Sequence, residues 1–455
     1  MTRRRVTALF AAVALASAGC STFHPPNVPL ERWRPDAGDR SETVAARRPP
    51  GKVLLLLAFS GGGTRAAALA YGVLQELRDT SIAVRGERKR LLDEIDAITS
   101  VSGGSFTAAY YGLRGERIFE DFEERFLRRD VEAQLVLSVL NPLNWFRMFS
   151  SFFDRTDLAV ELYEKEIFER ATFADLLAAG GPLLEINATD IAAHNHFTFV
   201  QRQFDLLCAD LSSFPIARAV TASSAVPGLF SPLVLRNYAG TCGYQPPAWL
   251  AESLADRRSD PRRFHVASIL NGYLDAKQVP YVHLLDGGIS DNIGLRVPLE
   301  NVAVSGGPVA RLEQLHVEPP DRVFVIVVNA EVDPPASFEL VAEAPGLEDV
   351  IGAVSSTQIG EYNFDTIELM RERLTDWAKT LPPASDGRPV QAGLVTLSFG
   401  DISDPHERGY FEDVPTSFTL SDETVDRLIA VARSLLREAP EFQELLRDLS
   451  PARTP

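Results

Sequence analysis

Two short stretches carry residue types suited to acyl transfer, Ser100-Val101-Ser102-Gly103-Gly104 and Asp286-Gly287-Gly288, and each follows an apolar run that reads as a strand. In the first, Ser102 sits at a strand-to-helix turn that needs small neighbours such as Gly104, and its hydroxyl is expected to project above the sheet edge as a nucleophile. The usual elbow is Gly-x-Ser-x-Gly, and Ser100 stands in place of its first glycine. In the second, Asp286 ends the run Tyr281 to Leu285 and precedes Gly287 and Gly288, so its carboxylate is expected at the carboxyl end of the sheet as a base for Ser102. Asp291 is a second acid in the same loop. A third stretch, Ser60-Gly61-Gly62-Gly63-Thr64-Arg65, follows the run VLLLLAF. A glycine run between strand and helix turns backbone N–H groups toward an anion, which makes Gly61, Gly62 and Gly63 candidates for holding a developing oxyanion. The run has neither the Gly-Lys-Ser/Thr ending of a nucleotide loop nor the spacing of a dinucleotide loop. Arg65 reads as a surface salt-bridge residue that could also hold the loop or steer an anionic head group. Taken singly, a Gly/Ser turn is a common loop and Asp-Gly a common turn. Their joint occurrence is what points to chemistry.

The elements that must position these residues alternate between strand and helix. Residues 53 to 59 are continuously apolar, as a strand covered on both faces requires, and residues 65 to 78 show helical spacing through Ala66, Leu69, Ala70, Val73, Leu74 and Leu77. Strands are expected again at 95 to 99, 183 to 191, 282 to 286, 323 to 330 and 394 to 399, with helices at 104 to 113 and 422 to 437. Ser421 is the candidate N-cap of the last helix. This pattern predicts an α/β architecture with a largely parallel sheet and helices on both sides.

At the N-terminus, Arg3, Arg4 and Arg5 precede an apolar segment from Val6 to Ala18, which is too short to span a bilayer. Residues 1–19 therefore read as a secretory signal peptide, and Ser17-Ala18-Gly19-Cys20 resembles the lipobox of bacterial lipoproteins, in which the cysteine receives lipid. Ser21 behind Cys20 suggests sorting to an outer membrane, facing the periplasm. Residues 20–50, rich in proline and charge, are expected to form an extended tether, residues 51–440 one domain and 441–455 a tail. The chain carries a net charge of −17, and loss of residues 1–19 leaves 42 basic against 62 acidic residues. Such a surface argues against nucleic acid and against electrostatic capture by anionic lipid. With Cys20 given to the anchor, Cys208 and Cys242 remain as a possible disulfide pair in an exported chain. No metal-ligand spacing occurs.

With these stretches in place, the chain resembles the patatin-like phospholipase family through most of residues 51 to 440. Asn187-Ala188-Thr189-Asp190 and the segment Ala222 to Pro232 also match, the latter resembling the family's Ser-Ala-Pro-Phe-Pro segment. The resemblance implies a three-layer α/β/α fold and a Ser-Asp dyad without histidine, here Ser102 as nucleophile and Asp286 as general base. It also implies a glycine-loop oxyanion hole at Gly61 to Gly63, a lipid acyl ester as substrate, and no metal or diffusible cofactor. Ser60 stands where the family commonly has Asp; together with Ser100 it is similar to the branch nearer the cytosolic phospholipases.

Trp145, Phe146, Phe149, Phe152 and Phe153 form the strongest aromatic cluster. They are expected to be a helix packed on the core, with an acyl pocket, a lid or a membrane-dipping surface as alternatives. Residues 336–389 hold a polar helix near 357 to 379 with no assigned role. Two other functions fit parts of the pattern: an α/β-hydrolase whose triad is completed by His316 or His406, and a non-catalytic lipid-binding envelope lipoprotein.

Overall fold

The computed structural model describes residues 25–449 apart from 85–86, 151–152, 333–341, 343, 345 and 385–386. The expected signal peptide, Cys20 and Phe152 lie outside the described residues.

Eight strands form the central sheet: β1 (Val53–Phe59), β2 (Ile95–Val101), β3 (Leu183–Asp190), β4 (Asn195–Thr198), β5 (Leu233–Arg236), β6 (Tyr281–Asp286), β7 (Arg322–Val328) and β8 (Gln391–Leu397). Their order is β8-β7-β1-β2-β3-β6-β5, with β4 joining β3 off that path. From β8 to β3 the strands run parallel. β6 and β4 are reversed, each running antiparallel to β3, and β5, antiparallel to β6, points the same way as β3.

Helices cover both faces. Those that matter for the site and its surroundings are α1 (Ser41–Arg47), α2 (Gly63–Asp79), α3 (Gly103–Arg114), α4 (Val131–Leu140), α5 (Pro142–Met148), α6 (Arg155–Glu166), α7 (Ile216–Ser223), α8 (Arg296–Ser305), α9 (Pro308–Leu315), α10 (Leu347–Thr380), α11 (Asp422–Glu438) and α12 (Pro440–Leu449). Strand alternation divides the core between them. Leu55, Leu57 and Phe59 of β1 and Phe324, Ile326 and Val328 of β7 pack with α2, α3 and α11. Ala58, Val325 and Val327 point the other way, toward Leu299 of α8 and Ile367, Met370 and Leu374 of α10. Each buried leucine contributes about 1.5–3 kcal/mol relative to exposure, and burial on both faces is why these strands read as unbroken apolar runs. The result is a three-layer α/β/α fold.

Three expectations about the periphery are corrected. Residues 27–48 do not form an extended tether. Asn27 pairs through its side chain with both Arg236 N and O, at 2.9 and 2.8 Å; Val28–Pro29 pairs with Ala209–Asp210; and buried Arg40 meets Asp205 at 2.5 Å. Prolines break regular structure, but the side chains between them still find partners. Residues 441–449 are not a tail, because the amphipathic α12 buries Phe442 and Leu445 against the core. The aromatic cluster is not core: Leu143, Phe146 and Phe149 are 74, 77 and 81% exposed, and Val136, Leu137, Leu140 and Trp145 are also exposed. Helices α4 and α5 are short and carry more apolar surface than the adjoining α6 covers. The polar helix of residues 357 to 379 is found as the longer α10, whose Ile367, Met370 and Leu374 are buried. Cys208 and Cys242 are bonded, closing a loop of 34 residues.

Candidate active site

The parallel half of the sheet delivers Ser102. Strand β2 ends at Val101 and α3 begins at Gly103, so the chain reverses on one residue and Ser102 takes φ 48°, ψ −121°, a strained conformation for a side chain with a Cβ. The strain is held in place by close packing. A Cβ on Gly103 would lie 2.0 Å from Gly63 O, and one on Gly104 2.7 Å from Ser60 O, so both must be glycine for α3 to start against the glycine loop. Ser102 N donates to Ser223 Oγ at 2.8 Å, and that hydroxyl donates to Asn187 O at 2.6 Å. Ser100, in place of the elbow's usual glycine, fits because its hydroxyl accepts from Ser105 Oγ at 3.2 Å, which in turn lies 3.0 Å from Ser223 Oγ.

The antiparallel half delivers Asp286. The carboxylate lies at the carboxyl end of the parallel strands as expected, but its own strand, β6, opposes β3 instead of running parallel. Asp286 approaches from the other direction, opposite Ala188, one residue beyond the level of Val101 and its partner Asn187. The carboxylate nevertheless reaches the serine: Asp286 Oδ2 accepts from Ser102 Oγ at 2.9 Å, and Oδ1 accepts from Gly288 N at 2.8 Å. Backbone bonds from Asp286 N to Ala225 O and Gly287 N to Ser223 O, and from Thr189 Oγ1 to Asp286 O, fix the strand end. Gly287 must lack a Cβ because one would stand 2.4 Å from Asn187 O. Burial pushes the Asp286 carboxyl up to about 6, against the smaller opposing pull of the Gly288 N–H and the Ser102 hydroxyl.

The glycine loop divides its work. Gly61 N is spent on Asn292 O at 3.0 Å, so it is not available to an oxyanion as expected. Among the described residues, no protein acceptor meets the N–H groups of Gly62 or Gly63, nor that of Gly103, the first residue of α3. Gly103 was not singled out as a donor from sequence; its place directly after the serine at a helix start was the available signal. Arg65 is not a surface residue. It is buried, with Nε on Ala330 O at 2.9 Å, Nη2 on Thr416 Oγ1 at 3.0 Å and Nη1 on Val414 O, tying α2 to β7 and to the loop over Gly63. Burial lowers its guanidinium to about 10. The other acid, Asp291, holds its own loop through Gly294 N and Arg296 N. His316 and His406 are exposed, and His316 follows α9 at the opposite end of the sheet, so neither meets Asp286.

A buried serine hydroxyl on a carboxylate, beside N–H groups at two helix starts that meet no acceptor among the described residues, is an arrangement able to carry out acyl transfer. A sequence profile of the patatin-like phospholipase family matches residues 57–299, a little over half of the chain. The chain belongs to that family and is an enzyme of lipid acyl ester hydrolysis. Among solved structures it is similar to human GIVD cytosolic phospholipase A2, at 12% identity and a TM-score of 0.45, covering 95% of this chain and 68% of that one. The complex of that protein with methyl gamma-linolenyl fluorophosphonate gives 12% identity and 0.43, covering 95% of this chain and 66% of that one. VipD from Legionella pneumophila gives 12% and 0.30, covering 96% and 73%. This chain thus spans about two thirds of the human enzyme's length. No curated protein matches.

Proposed function

We propose that this protein is an exported, lipid-anchored serine hydrolase that cleaves fatty-acyl esters of membrane lipids through a Ser102–Asp286 dyad. The observation that carries this reading is the 2.9 Å contact between Ser102 Oγ and Asp286 Oδ2. Asp286 takes the Ser102 proton as Oγ attacks the ester carbonyl, the N–H groups of Gly62, Gly63 and Gly103 hold the oxyanion, and the proton passes to the leaving alcohol. Water, activated by Asp286, then releases the fatty acid and restores the serine. Each oxyanion donor is worth about 3–4 kcal/mol in the transition state.

The substrate's bilayer is met by α4 and α5. Their exposed apolar residues rise from the rim of the glycine loop: Asp130 at the start of α4 accepts from Thr419 Oγ1, and Ser417 O in the same loop accepts from Thr64 N. Only Glu132 and Arg147 are charged within the two helices, which suits hydrocarbon rather than a polar partner. Among the described residues no helix is long and apolar enough to cross a membrane, and Cys20, lipidated after removal of residues 1–19, supplies the anchor at the periplasmic face of an outer membrane.

Incubation of membranes with the protein and with Ser102→Ala, followed by lipid profiling and fluorophosphonate labelling, tests the reading. Serine-dependent release of fatty acid supports it. An unlabelled Ser102 and unchanged lipids would return the chain to a non-catalytic lipid-binding role.

A further inference from the structure

One cavity lies away from Ser102. It opens at the other end of the sheet, where Leu54 and Val323 begin their strands, and it is walled by Val44 of α1, Leu312 of α9 and Leu374 and Trp377 of α10. It holds about 200 Å³. From Leu54 to the glycine loop the strand climbs roughly 17 Å at about 3.3 Å per residue, so this space is separate from the dyad.

One wall carries Arg311, whose side chain is 10% exposed. Among the described residues its only side-chain partner is Glu42 Oε1, 3.5 Å away and itself 37% exposed. That contact uses one of the guanidinium's five donors, and burial lowers its pKa. Two acids share the lining. Glu185 is bonded to Asn301 Nδ2 at 3.1 Å, Asp96 accepts from Leu55 N at 2.8 Å, and burial pushes each up to about 7, against the opposing pull of Arg311 on Glu185 and of Arg48 on Asp96. The combination is an apolar slot with two guanidinium groups in its lining, Arg311 and Arg48, of which Arg48 also donates to Asp93 O. A guanidinium matches a carboxylate through two parallel N–H···O bonds, and the aliphatic walls match a single hydrocarbon chain.

We propose that this cavity binds one long-chain fatty carboxylate, with its carboxylate on Arg311 and its chain beside Trp377. Charge complementarity selects the acid over a neutral ester or alcohol of the same length. A fatty acid is also the product of the proposed reaction, so a role in product sensing rests on that reading; the binding itself does not.

Titration with 9,10-dibromostearate below its micellar concentration, read by tryptophan fluorescence, tests this without turnover. Saturable quenching is expected to disappear in Trp377→Phe, to persist in Trp145→Phe, and to need at least tenfold more ligand in Arg311→Gln. Because Arg311→Gln could disturb folding, acid and methyl ester are also compared on the Ser102→Ala protein, where the ester is not consumed; the ester is expected to bind at least tenfold more weakly. Quenching that survives Trp377→Phe, that vanishes instead in Trp145→Phe because the acid sits on α4 and α5, or that is equal for acid and ester overturns the proposal. A protein that fails to label with fluorophosphonate can still pass this test, so the two proposals fail separately.

Discussion

The serine-bearing and aspartate-bearing halves of the site are built by different means. Ser102 is held locally, by a one-residue turn, two flanking glycines and a strained backbone, within elements adjacent in sequence. Asp286 is held at long range, by an antiparallel partner about a hundred residues away and by bonds to the segment around Ser223 and Ala225. The first half is a motif and the second an assembly. Ser223 joins them, since its hydroxyl meets the Ser102 N–H and its carbonyl meets Gly287 N.

Breaking either half outright is expected to have the largest effect. Ser102→Ala should reduce kcat/KM on a short-chain ester by about 10⁴-fold or more, and Asp286→Asn by about 10³–10⁴-fold, because an amide cannot take the proton. If Asp286→Asn keeps more than a tenth of the activity, the carboxylate is not the base. The pH profile reads the aspartate half by itself. The base must be ionised, and its pKa is raised to about 6, so kcat/KM should fall as pH drops through that value and reach about a tenth of its plateau one unit below it. A profile flat to pH 4.5 would remove Asp286 from the chemistry. Ser223→Ala loosens the joint and is expected to cost about tenfold in kcat/KM, with a loss of about 1 kcal/mol in stability by denaturant unfolding. Equal losses with Thr189→Val, which frees the Asp286 and Gly287 carbonyls and the Ser290 hydroxyl but leaves Ser223 in place, would show that the coupling does not run through Ser223. The smallest effect is expected from His316→Ala and His406→Ala, which should leave kcat/KM within twofold; a large loss in either would point to a triad.

The contrast also explains what the sequence made legible. Periodicity identified β1, β2, α2 and α3 closely, and the residue types marked Ser102 and Asp286 together with the family they belong to. Strand direction left no trace, because an apolar run such as Tyr281 to Leu285 looks the same whichever way its neighbour points. Partners were equally invisible. That Gly61 N is used by Asn292 O, or that Arg65 lies among carbonyls, depends on loops separated from them by more than two hundred residues. The aromatic residues of α5 and the turn after it read as core from sequence because burial is the usual fate of such side chains, and amphipathic spacing says which residues share a face without saying what covers it.

Asn27 closes a gap that would otherwise remain in the sheet. Strand β5 is its last member on one side, and an edge strand with free N–H and C=O groups is a template for another chain. By taking both groups of Arg236 with one amide side chain, Asn27 imitates a neighbouring strand one residue long. The N-terminal segment around Asn27 thus doubles as a stopper against edge-to-edge association.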